Sequence, residues 1–133
     1  MGRGKTMTQI RLNFFKLAVP AMEPALDFWS KAFGFEVAAT FDEDEFLEHI
    51  LALPGQPGGP SLILLQYKDG RSIEIGNAHG PVGFHCDDII TSHERLLESG
   101  ASEITGVVDV GPVRVAIIRS PDGHEIELVQ LPA

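Results

Sequence analysis

The chain has 133 residues, 44% apolar and 22% charged, the composition of a folded globular protein rather than a disordered one. Ten Lys and Arg stand against 19 Asp and Glu, a net charge of −9, so nucleic acid and anionic membrane surfaces are poor partners. No apolar run approaches the ~20 residues that span a bilayer. MGRGKTMTQI lacks the apolar stretch of a secretory signal, and Cys86 stands alone, so no internal disulfide forms and a cytoplasmic setting is expected.

In chain order, residues 1–9 are polar and aperiodic and are expected to form a flexible arm ahead of a single domain over 10–133. Residues 11–19 (RLNFFKLAV) read as a strand with Phe15, Leu17 and Val19 on one face. A helix over 22–33 follows Pro20, with Leu26, Trp29 and Phe33 as its apolar stripe and Gly34 as its stop. Strands over 35–41 and 45–53 flank the acidic turn DEDE, PGQPGGP is a loop, and SLILLQY (61–67) is the next strand. The pattern then repeats. A strand over 81–86 is followed by a helix over 89–98, buried through Ile89, Leu96 and Leu97 and stopped at Gly100. Strands follow over 102–110, 113–119 and 125–129, the last after the turn Ser120-Pro121-Asp122-Gly123. Each half (about 10–70 and 80–131) therefore reads βαβββ, and Leu17 and Val19 lie 67 residues before Phe84 and Cys86.

Strand parity separates two faces. With Phe15, Leu17 and Val19 under the first helix, Phe14 and Lys16 face the other way. Val82, Phe84 and Cys86 likewise leave Pro81, Gly83 and His85, while Ile126 and Leu128 leave Glu125 and Glu127. His93, on a helix, is expected to be solvated, and His124 to start a strand.

Two βαβββ units, with S-P-D-G-H-x-I-E-L at Ser120–Leu128 and A-V-x5-A-L-D-F-W at Ala18–Trp29, resemble the vicinal oxygen chelate superfamily. That group includes glyoxalase I, extradiol dioxygenases and bleomycin-binding proteins. The resemblance implies an α+β fold, two tandem units forming a curved, cup-shaped mixed sheet, commonly in a homodimer. It also places Leu62, Leu64 and Gln66 in the cup. In metal-bearing members each unit supplies one ligand from its first strand and one from its last. Carried over, those positions are Phe14, Leu64, Pro81 and Glu127, of which only Glu127 has a donor atom.

A catalytic divalent ion normally takes about three protein ligands. The expectation is therefore a metal-free protein without a cofactor, holding a small apolar or aromatic organic molecule against Phe14, Lys16, Leu64, Gln66, His85 and Glu127. The alternative is a glyoxalase-like lyase or isomerase, or a dioxygenase-related enzyme, in the same cup. There His85 and Glu127 would be the catalytic candidates, with or without a rearranged metal site that recruits His49, His79 or His124.

Overall fold

The computed structural model describes residues 9–133; the arm expected over 1–9 lies outside the described residues except Gln9, which is in no regular element. The elements are β1 (Phe14–Ala18), α1 (Met22–Phe33), β2 (Glu36–Asp42), β3 (Phe46–Ala52), β4 (Ser61–Tyr67) and β5 (Val82–His85), then α2 (Ile89–Glu98), β6 (Ser102–Glu103), β7 (Val108–Val110), β8 (Val113–Arg119) and β9 (Glu125–Gln130). This is the α+β fold of two tandem βαβββ units. The strand expected from Arg11 begins only at Phe14. The strand expected over 102–110 is broken, because the amides of Ile104 and Thr105 both turn onto the single carbonyl of Ile117.

Each unit forms its own hydrogen-bonded sheet, in the orders β1-β4-β3-β2 and β5-β9-β8-β6, with β7 also on β8. In both, the first and last strands run parallel and the other pairs antiparallel. Parallel pairing needs a crossover, and α1 and α2 supply it. The registers Phe15↔Leu62 and Leu17↔Leu64 place four apolar side chains on the helix side of the first sheet. Val82↔Ile126 and Phe84↔Leu128 do the same in the second.

α1 buries Met22, Ala25, Phe28, Trp29 and Ala32. The stripe is thus rotated from the one expected: Leu26 and Phe33 are only half-buried. Phe33 is drawn instead to the other unit, where its ring stacks on Phe84 at 4.3 Å and on Trp29 at 5.2 Å. The units also meet where Arg95 Nε donates to the Lys31 carbonyl at 2.8 Å. His124 Nε2 donates to the Ala18 carbonyl at 2.9 Å, which fixes its tautomer because a carbonyl can only accept.

Both helices start in the same way. The Met22 amide donates to Gln66 Oε1 at 2.6 Å, and the Ile89 amide donates to Gln130 Oε1 at 2.8 Å. A glutamine near the end of each unit's last strand thereby satisfies one of the amides that a helix start leaves unpaired. α2 adds Asp88, whose carboxylate accepts from the Thr91 amide; that bond holds the Asp88 carboxyl below its ordinary range. α1 ends on Gly34 at φ 82°, a left-handed conformation that suits glycine.

Replacing Gln66 or Gln130 by Ala is expected to lower the unfolding free energy by about 1–2 kcal/mol, read from urea denaturation. Matching losses at both sites would bear out the repeated capping, and no loss at either would contradict it.

Candidate functional site

The strand registers decide which side chains are available for binding. In the first unit the rows Lys16–Ile63–Ile50–Ala39 and Ala18–Leu65–Glu48–Phe41 lie on the face away from α1. In the second, Gly83–Glu127–Ile117 and His85–Val129–Val115–Val108 lie on the face away from α2. These two open faces carry most of the polar groups expected at the site. Two of the six candidates are not on them.

Leu64 is fully buried in the core beside Leu17, on the helix side with Leu62. Gln66 shares that side and caps α1. The reason is the pairing itself: partners in adjacent strands share a face, so Leu64 must follow Leu17. The open-face residue of β4 at this level is Ile63. Gln66 and Gln130 are 64 residues apart, and the same offset takes Ile63, not Leu64, to Glu127.

The remaining four do reach the open faces. Phe14 is 43% exposed, with the Lys16 ammonium 5.6 Å from its ring centroid. Lys16 Nζ pairs with Glu48 Oε2 at 2.7 Å. Glu48 is only 7% exposed, and the sequence reading missed it. A signal was present: in FLEHILA, Glu48 shares its parity with Phe46 and Ile50, a charge inside an apolar row. His85 is exposed at the end of β5. Glu127 lies between Gly83 and Ile117 in register, half-buried, and has no ion pair or hydrogen bond among the described residues.

Two cavities lie where β1 comes near β5. One, of about 600 Å³, is lined by Phe15, Leu62, Val82, Phe84 and His85 among others. The other, of about 630 Å³, is lined by Lys16, His79, Pro81 and Gly83 with apolar neighbours. Both have the size and apolar lining of small-molecule sites. Glu127 lines neither of them.

Three other histidines and Cys86 line neither cavity, and of them His93 has a buried Nε2 without a hydrogen-bond partner among the described residues. His49 Nδ1 bonds Thr40 Oγ1 at 2.8 Å, and the His124 ring is held by Ala18. His93, expected in solvent, has a side chain only 12% exposed, 3.4 Å from Glu103, because the β6 segment lies over that part of α2. Burial pushes the Cys86 thiol up, away from the reactive thiolate.

The donor set does not fit the metal centre that the resemblance implies. With Ile63 in place of Leu64, its four positions hold Phe14, Ile63, Pro81 and Glu127, which is one oxygen donor and three hydrocarbon side chains. Among the described residues no group of three or more His, Cys, Asp or Glu is close enough to hold an ion, so the rearranged site through His49, His79 or His124 is not assembled.

The chain belongs to the Glyoxalase/Bleomycin resistance protein/Dioxygenase superfamily, whose model matches residues 11–128. It is 28% identical over 128 residues to a lactoylglutathione lyase of Escherichia coli O157:H7, covering 91% of this chain and 93% of that protein. Among solved structures it resembles glyoxalase I of Zea mays at 19% identity and TM-score 0.81, over 92% of this chain but only 45% of the maize chain, so it spans about half that protein's length. It also resembles TnmS3, an antibiotic binding protein from Streptomyces sp. CB03234, at 26% identity and TM-score 0.75, over 96% of this chain and all of TnmS3. No helix among the described residues is long and apolar enough to cross a membrane.

The placement of β4 has a direct test. Ile63, though on the open face, is only 4% exposed, so Ile63→Glu also costs stability. Its carboxylate lies beside Lys16, however, and is expected to cost less than Leu64→Glu, which puts one into the core with no cation near and loses several kcal/mol. Thermal melts followed by circular dichroism distinguish them, and the reverse order would contradict the assigned faces.

Proposed function

We propose that this protein binds a small, largely apolar organic molecule without a metal ion, in the cleft between its two units, and acts by holding that molecule. The observation that carries the reading is the donor set: three of four metal-ligand positions bear the carbon side chains of Phe14, Ile63 and Pro81. Such positions leave a divalent ion short of the roughly three protein ligands that fix its geometry. They favour an apolar ligand instead, because burying hydrocarbon releases roughly 25 cal/mol per Å². The likeness to an antibiotic binding protein, over 96% of this chain and all of that one, supports the same reading. Lys16 and His85 supply the few polar contacts that orient a ligand at the cavity walls, while Phe14 and Glu127 flank them on the open faces. Pairing of two copies, which the resemblance implies, would cover the open faces.

A second reading is favoured by one specific observation, the relatives named lactoylglutathione lyase at 28% identity over nearly their full length. In it His85 and Glu127, on adjacent strands of one open face, act as an acid–base pair. Fold alone does not choose between the two, since one scaffold supports many chemistries.

The discriminating experiment supplies methylglyoxal and glutathione, the pair into which lactoylglutathione divides, to the purified chain and follows thioester formation beside His85→Ala. The binding reading expects no turnover above the buffer rate in either protein. Turnover that His85→Ala removes would replace it with the enzymatic one.

A further inference from the structure

We infer that the Lys16–Glu48 pair is a built-in, charge-neutral hydrogen-bond donor that orients a ligand through a neutral carbonyl oxygen, of the ketone or amide kind. This rests on the binding reading above and adds the ligand's chemistry and a residue, Glu48, to the site.

The first observation is where the pair lies. Lys16 is on β1 and Glu48 on β3, so the lysine side chain crosses β4 to reach its partner. It crosses an open face made otherwise of Phe14, Ile50, Ile63 and Leu65. Glu48 is almost wholly covered, yet the Lys16 side chain remains 41% exposed. The ammonium is therefore the accessible member of the pair.

The second observation comes from the molecule's own repeat. Lys16 matches Gly83 in the second unit by the 67-residue offset, and Glu48, opposite Leu65, matches Val115, opposite Val129. The second unit builds the same parallel and antiparallel pairs with no charge at either position. The fold does not need the pair. A covered ion pair also adds little stability over apolar side chains of similar size, because desolvation offsets the attraction. A ligand role accounts for what folding does not require.

The third observation is unused donor capacity. An ammonium has three hydrogens to give. Glu48 is its ion-pair partner at 2.7 Å, and the Phe14 ring face lies at 5.6 Å, but no hydrogen-bond acceptor among the described residues engages Nζ. Lys16 also lines the cavity of about 630 Å³, whose wall includes Phe15, Leu17, Pro81 and Val82. The ammonium itself is turned across β4 towards β3, and a free N–H donor over that apolar face is the arrangement that selects for one oxygen acceptor on a hydrocarbon body.

Charge then narrows the acceptor. Glu48 cancels the ammonium, and the chain as a whole carries −9, so an anionic ligand meets a fixed carboxylate and an unfavourable field. A neutral carbonyl takes the hydrogen bond without that penalty.

The test is titration calorimetry of the full chain with three ligands that share a bicyclic body: 2-acetylnaphthalene, 2-ethylnaphthalene and 2-naphthoate. The wild-type protein is expected to bind the ketone about tenfold more tightly than the hydrocarbon, as a hydrogen bond from a charged donor allows, with naphthoate weakest. Lys16→Met should keep the affinity for 2-ethylnaphthalene and lose the preference for the ketone, and Lys16→Arg should keep that preference. Glu48→Gln, which leaves the ammonium uncompensated, should raise naphthoate affinity by about tenfold. Glu48→Gln also serves as the decisive variant if Lys16→Met fails to fold. Equal binding of ketone and hydrocarbon by the wild type, a ketone preference that survives Lys16→Met, or unchanged naphthoate binding in Glu48→Gln would each overturn the inference. If none of the three binds the wild type, the binding reading itself fails, a result separate from loss of selectivity among ligands that do bind.

Discussion

The parallel pairing of each unit's first strand with its last is the constraint on which the rest of the structure depends. Phe15↔Leu62 and Leu17↔Leu64 in one unit, with Val82↔Ile126 and Phe84↔Leu128 in the other, set the hydrophobic rows under α1 and α2. Side chains alternate along a strand, so a shift of one residue would turn those rows outward and bury Lys16 and Glu127 in their place. The same register carries Gln66 and Gln130 to the helix starts. One pairing thus hides the core, caps both helices and selects the residues of the open faces.

Those faces are where the two units stop being copies. Aromatic packing around Trp29, Phe33 and Phe84 joins the units on their helix sides. His124 ties the final turn to the end of β1. The cleft between β1 and β5 is consequently walled by both units, though each sheet is hydrogen-bonded only within itself. Across it the chemistry is unequal. The first unit presents a neutralised Lys16–Glu48 pair on hydrocarbon, and the second presents His85 beside Gly83, which has no side chain to block approach, with Glu127 on the same open face outside the cavities. Such asymmetry on a symmetric frame suits recognition of a ligand with unlike ends better than uniform coordination of an ion.

Much of this was legible in the sequence, and the limits have physical causes. Both helices carry strong punctuation, Pro20 and Gly34 for one and Gly100 at the end of the other, and their expected ranges agree with the observed ones. The open-face parity of Phe14, Lys16, His85 and Glu127 could be read because polar and apolar residues alternate around them. In SLILLQY they do not: residues 62–65 are all apolar, so local alternation gives no direction, and Leu64 and Gln66 were assigned to the wrong face. Only the pairing with β1, or the matched glutamines of the two units, sets it. The Lys16–Glu48 contact spans three strands, and periodicity within a single strand does not reveal such a partner. His93 misled for a similar reason, since its helix face is covered by a segment that follows in the chain.

The ring of positions that would hold an ion is made of carbon at three of its four corners. Metal stoichiometry measured by plasma mass spectrometry after dialysis against Zn²⁺ and Ni²⁺ tests it most directly, comparing the natural chain with the combined variant Phe14→His, Ile63→Glu, Pro81→His. No retained ion is expected in the natural chain and one ion per site in the variant, where two imidazoles and a second carboxylate join Glu127. A natural chain that keeps one equivalent of either metal, and loses it on Glu127→Gln, would contradict the account.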